Sequence, residues 1–131
     1  MTNIAVAPMF APRKLSDLEL LMASILWGPS GAGKTTLAAT APGAKLWLMF
    51  DPGGCDSIRN RDDIYVMDFT GMPDSIAEKF KEGDAFGIKK FLAEHPDVET
   101  IVFDSVTMFG EMALRYGIKN AAASQTYAKA P

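Results

Sequence analysis

The chain has 131 residues, 48% of them hydrophobic and 22% charged, with a formal net charge of -3. That size and mixture suit one globular domain with a buried core and exclude a disordered or fibrous chain. The acidic balance supplies no global field that would collect nucleic acid or an anionic membrane, and the single cysteine, Cys55, excludes an internal disulfide and a multi-cysteine zinc site.

The opening residues 1–14, with Pro8 and Pro12, predict an extended arm, and residues 15–131 the domain proper. The arm has no basic segment ahead of an apolar core, so it does not read as a secretory leader. The longest apolar run, Leu18 to Trp27, contains Glu19 and is far too short to span a bilayer. A soluble cytoplasmic protein with no membrane partner is the expectation. Within that run "LLMASILW", Leu20 to Trp27, predicts a buried strand that stops at a glycine loop, and "KTTLAATA", Lys34 to Ala41, a short helix closed by Pro42-Gly43.

Lys45 to Phe50 predicts a second strand, ended by the turn residues Asp51-Pro52-Gly53-Gly54, and Asp63 to Phe69 a third, ended by Gly71-Met72-Pro73. Apolar residues at helical spacing, Ile76, Phe80, Phe86, Ile88 and Phe91-Leu92, then predict helices over 74–82 and 84–95, with Asp74 and Asp84 as N-caps and His95-Pro96 as the close. A fourth strand, Glu99 to Asp104, leads into a final helix over 107–124. Strands alternating with helices predict an α/β domain with a mostly parallel sheet, in which ligands sit beyond the carboxyl ends of the strands. The residues just after each strand are therefore the informative ones: the glycine loop, Asp51, Asp68 and Asp104.

"GPSGAGKT", Gly28 to Thr35, fits G-x-x-x-x-G-K-[ST] without a gap, a match expected by chance about once in a few hundred chains of this length. Each position has a physical reason. Gly28 and Gly33 allow dihedrals and close approach that a Cβ would block, so that backbone N–H groups of Gly31, Ala32, Gly33, Lys34, Thr35 and Thr36 can turn around a phosphate; Pro29 and Ser30 lie on the near side of the loop, and Pro29 has no N–H to give. Lys34 reaches the β- and γ-phosphates, and the Thr35 hydroxyl is placed to ligate Mg²⁺. The second half of such a site is a carboxylate closing a buried strand, and "TIVFDS" supplies Asp104 as metal ligand and catalytic acid, with capping of the following helix as the plain alternative.

Taken together, "WGPSGAGKTTLA", "LWLMFDPGG" and "TIVFDSVTMF" resemble the RecA-like branch of P-loop NTPases, and within it phage-encoded AAA/RecA-type ATP-binding proteins, some of them linked to single-strand annealing and recombination. The resemblance covers roughly Arg13 to Gln125. It implies a three-layer P-loop fold with a sheet of about four strands, incomplete relative to a full core because the chain stops soon after the Walker B region. It also implies ATP and Mg²⁺ as ligands, Gly28 to Thr35 as the Walker A loop and Asp104 as the Walker B acid with Ser105 beside it. Single-stranded DNA as a partner, a homo-oligomer in which a neighbour's arginine completes the site, and the host cytoplasm as location come from the resemblance alone.

One position departs from that family's pattern. Where a glutamate typically positions the attacking water, this chain has "FDPGG"; Asp51, one or two positions early, either takes the catalytic role or caps the turn, and Glu111 is a rival. ATP hydrolysis therefore stands beside two alternatives. One is a small P-loop kinase using Arg59 and Arg61 to clamp a transferred phosphoryl group. The other is a binding-only module that holds nucleotide without turnover.

Overall fold

A central strand buried on both faces organises the domain. The computed structural model describes residues 11–17 and 22–128, and its three strands are β1 (Ala44–Met49), β2 (Ile64–Asp68) and β3 (Val98–Asp104). They pair in parallel in the order β2-β1-β3. Lys45, Leu46, Trp47 and Leu48 of β1 are all buried, which is why this strand reads as an unbroken apolar run and not as an alternation. Lys45 is tolerated inside because its ammonium donates to Asp63 Oδ2 at 2.6 Å, just ahead of β2.

Side-chain alternation divides the sheet between two cores. Leu46, Leu48 and Phe50 point to one face, where they meet Ile76 and Ala77 of α2 (Ile76–Lys79), Phe91 and Leu92 of α3 (Ile88–Glu94) and Met112 of α4 (Val106–Ala128). Phe50 is the hub of this core, its ring stacked on Phe69 at 5.1 Å and on Phe103 at 5.4 Å. Trp47 points to the opposite face and packs with Ala39, which follows α1 (Lys34–Ala38), and with Ile58. Three layers result: α1, the sheet, and α2 to α4. Asp74 joins α2 to α4 by accepting from Arg115 at 3.0 Å, with Lys119 at 3.7 Å.

The expected α/β class with a parallel sheet is borne out, and three strands fall within one or two residues of their predicted spans. The predicted strand over Leu20 to Trp27 is not. Residues 20 and 21 lie outside the described ones, and 22–27 form no strand, with Ile25 89% and Trp27 96% exposed. A strand exists only through cross-strand bonds, and residues 22–27 pair with no strand while β3 keeps one edge unpaired among the described residues. Apolar composition signalled burial that the run does not find here.

Two helices also differ from expectation. The predicted 74–82 helix shrinks to α2, whose N-cap position is Ser75, because Asp74 turns its carboxylate to α4 instead. The predicted 84–95 helix is a 3-10 turn, Ala85–Gly87, followed by α3, with left-handed backbone at Phe86 (φ 56°) and Gly87 (φ 70°). The Phe86 ring sits 4.9 Å from both Phe69 and Phe80, and that packing offsets the cost of a left-handed phenylalanine. Asp84 does cap, accepting the Lys89 N–H at 2.8 Å. His95 ends α3 as expected, but half-buried and stacked on Phe91 at 4.0 Å. Arm residues 1–10 lie outside the described residues.

Candidate functional site

The register of the sheet brings three carboxylates to one end. Met49 lies opposite Asp68 on β2 and Asp104 on β3, so Asp51, two residues beyond Met49, follows into the same region. Asp104 shares a face with Val102 and Trp47, the face that carries α1 and the glycine loop. This is the carboxyl end of a parallel sheet, where such folds bind ligands.

The loop from Gly28 to Thr36 agrees with its sequence reading at Gly33 and departs from it at Gly28. Gly33 (φ 88°) and Gly31 (φ 79°) take the left-handed conformation; Gly31 lies where the motif leaves the residue free, whereas Gly28 is not at positive φ. Ala32 N–H closes a turn to Pro29 O at 3.2 Å. The N–H groups of Gly31, Gly33, Lys34, Thr35 and Thr36 have no hydrogen-bond partner among the described residues, nor has the Thr35 hydroxyl. Lys34 folds back over the loop, its ammonium donating to Gly28 O at 2.6 Å and Pro29 O at 2.8 Å. A cation and a row of unsatisfied amides in one loop are groups suited to an anion.

Asp104 ends β3, opposite Met49 and on the same face of the sheet as Trp47. Its Oδ2 accepts the Trp47 indole N–H at 3.2 Å, and Oδ1 has no partner among the described residues. Burial pushes the carboxyl above its ordinary value; the Trp47 bond opposes that, Asp51 adds to it and Lys34 opposes it. Gly54 permits this closeness, because a Cβ there would lie 3.2 Å from Asp104 Oδ2. Ser105 caps α4, its hydroxyl accepting the Met108 N–H at 3.2 Å.

Residues 22–130, well over half of the chain, match the family described as AAA domain. The chain belongs to the AAA domain family. No curated protein and no solved structure gave a match. Membership makes this a P-loop nucleotide-binding domain.

Other residues of the AAA domain singled out in the sequence fall less centrally. Asp51 lies close enough to raise the Asp104 carboxyl, and its own carboxylate has no partner among the described residues. Glu111 is on the exposed side of α4, 3.7 Å from Arg115. Arg59 and Arg61 are engaged by Asp56 at 2.8 Å and Asp63 at 3.0 Å, beside a cleft of about 470 Å³ floored by Met49, Ile58, Ile64 and Val66. Cys55 lines the same cleft, its thiol pushed up by burial and then by Asp104, Asp56 and Asp68, so it stays protonated and unreactive at neutral pH. Trp47 was not legible as part of the site; the only signal was a buried indole N–H that needs an acceptor. Among the described residues no helix is long and apolar enough to cross a membrane.

Proposed function

We propose that the AAA domain binds ATP with Mg²⁺ in the loop from Gly28 to Thr36 and hydrolyses it. The observation that supports this reading is the meeting of two distant parts of the chain: Asp104 accepts from Trp47, whose ring packs with Ala39 at the end of α1, the helix that Lys34 begins after a loop with unpartnered amides. The donors suit Mg²⁺, since the Thr35 hydroxyl and Asp104 Oδ1 are hard oxygens with no other partner among the described residues. Those residues contain no cluster of three or more His, Cys, Asp or Glu that could hold a metal ion. An ion held by one carboxylate, a hydroxyl and phosphate oxygens needs no such cage.

When bound, the ion neutralises charge on the β- and γ-oxygens. The loop amides hold the phosphates, and Lys34 exchanges Gly28 O and Pro29 O for phosphate oxygens. Asp51 is the carboxylate left to orient a water and accept its proton as that water attacks the γ-phosphorus; the bond from this phosphorus to the bridging oxygen breaks and ADP leaves. Single-stranded DNA as a stimulating partner rests on the resemblance read from the sequence.

The test is calorimetric titration with Mg-ATP combined with phosphate release, each with and without single-stranded DNA. The parent chain is expected to bind and to release phosphate steadily, and Lys34→Ala to bind about a hundredfold more weakly or worse. Undiminished binding by Lys34→Ala sinks the loop assignment. Binding without release would reduce the domain to a nucleotide-holding module.

A further inference from the structure

We infer that Trp47 is a positioning residue for the Asp104 carboxylate: its indole N–H fixes Oδ2 and thereby selects Oδ1 as the oxygen presented to the metal. The inference rests on the ATP-Mg²⁺ reading above. Its first ground is that the indole N–H, at 3.2 Å, is the one hydrogen-bond donor to this carboxylate among the described residues. The second is that Trp47 cannot yield, being fully buried at 0% exposure in the middle of the central strand.

The third ground is enclosure. Oδ2 lies close to both the indole and the Asp51–Gly54 turn, where a Cβ on Gly54 would stand 3.2 Å away, so this side of the carboxylate is walled while Oδ1 has no hydrogen-bond partner among the described residues. The register explains how the pair forms: Trp47 faces Val102 and Met49 faces Asp104, so Trp47 and Asp104 are diagonal neighbours on one face. The same ring packs against Ala39 at the end of α1. A single side chain therefore sets both the orientation of the metal carboxylate and the seat of the helix that carries Lys34 and Thr35. Groups that orient a metal ligand commonly change metal affinity by about 10- to 100-fold when lost.

Trp47→Phe keeps the buried ring and removes the donor. Binding of a non-hydrolysable ATP analogue is measured by calorimetry in EDTA and over a Mg²⁺ series, with circular dichroism to confirm folding. The expected result is an affinity in EDTA within about twofold of the parent and a Mg²⁺ requirement raised about tenfold. An unchanged Mg²⁺ requirement overturns the inference, whereas a parent chain that binds no nucleotide at all overturns the ATP reading instead.

If Trp47→Phe fails to fold, Trp27→Phe supplies a second route, since it removes the 96%-exposed indole and leaves Trp47 as the only fluorophore of its kind. Addition of Mg²⁺ to the nucleotide complex should then shift Trp47 emission saturably, and the shift should vanish in Trp27→Phe/Asp104→Ala. No shift, or a shift that survives loss of Asp104, overturns the inference.

Discussion

Asp104 is held at a cost to the fold. Burial raises its carboxyl, so the folded chain binds this proton more tightly than the unfolded one. That stabilising contribution is fully present below the ordinary carboxylate value and is lost as pH rises through the raised one; at neutral pH the ionised group is a net burden. Asp104→Asn is therefore expected to raise the thermal midpoint by about 1 to 3 °C in the absence of ligand, while removing the Mg²⁺ dependence of nucleotide binding. Scanning calorimetry and titration on one preparation check both halves, and a lowered midpoint would refute the account of Asp104 burial. Asp63 has the opposite sign. Hydrogen bonds from Arg61 and Lys45 hold its carboxyl far below the usual range, so its contribution is present above about pH 4 and lost as pH falls towards the depressed value. Acid unfolding curves of Asp63→Asn should be flatter in that window.

At the scale of elements, the strands were legible and the short helices were not. β1 to β3 are each a run of apolar and β-branched residues bounded by turn signals, and local sequence suffices to mark such runs. Phe86 kept the inward placement its helical spacing predicts, yet the backbone beneath it is left-handed; two phenylalanine rings, Phe69 and Phe80, hold it there. Asp74 likewise had the sequence of an N-cap and the role of a tie to α4. The ring cluster around Phe50 joins the sheet to its helical layer, and Phe50→Ala should cost about 3 to 5 kcal/mol in urea unfolding. Against a total stability of about 5 to 15 kcal/mol that loss would leave the chain at the edge of folding. Lys45 makes a contrasting case. Lys45→Met should be close to neutral, because it leaves Asp63 its Arg61 partner, whereas Asp63→Ala strands a buried ammonium and should lower the thermal midpoint clearly.

For the whole molecule, the loop motif and the strand-ending aspartate made half of the candidate site readable in the sequence, because both obey local rules. The unread half was relational. Nothing near Trp47 in the chain announces Asp104, and nothing near Leu20 to Trp27 says that the run would go unpaired. The topology adds a matter of timing. Every strand pairing among the described residues is parallel, and the residues that β1 pairs with on β3 lie more than fifty positions further along the chain, so the last strand to be made is the one that delivers Asp104. Large loops must close before such a contact forms, and folding dominated by such pairings is slow. In stopped-flow refolding the blue shift of Trp47 should therefore track the slowest major phase, and Mg-ATP present from the start should leave its rate unchanged. A phosphate loop able to grip before β3 arrives would show instead as acceleration by nucleotide. Chronologically, the Asp104 half of the candidate site is the final thing this chain learns to make.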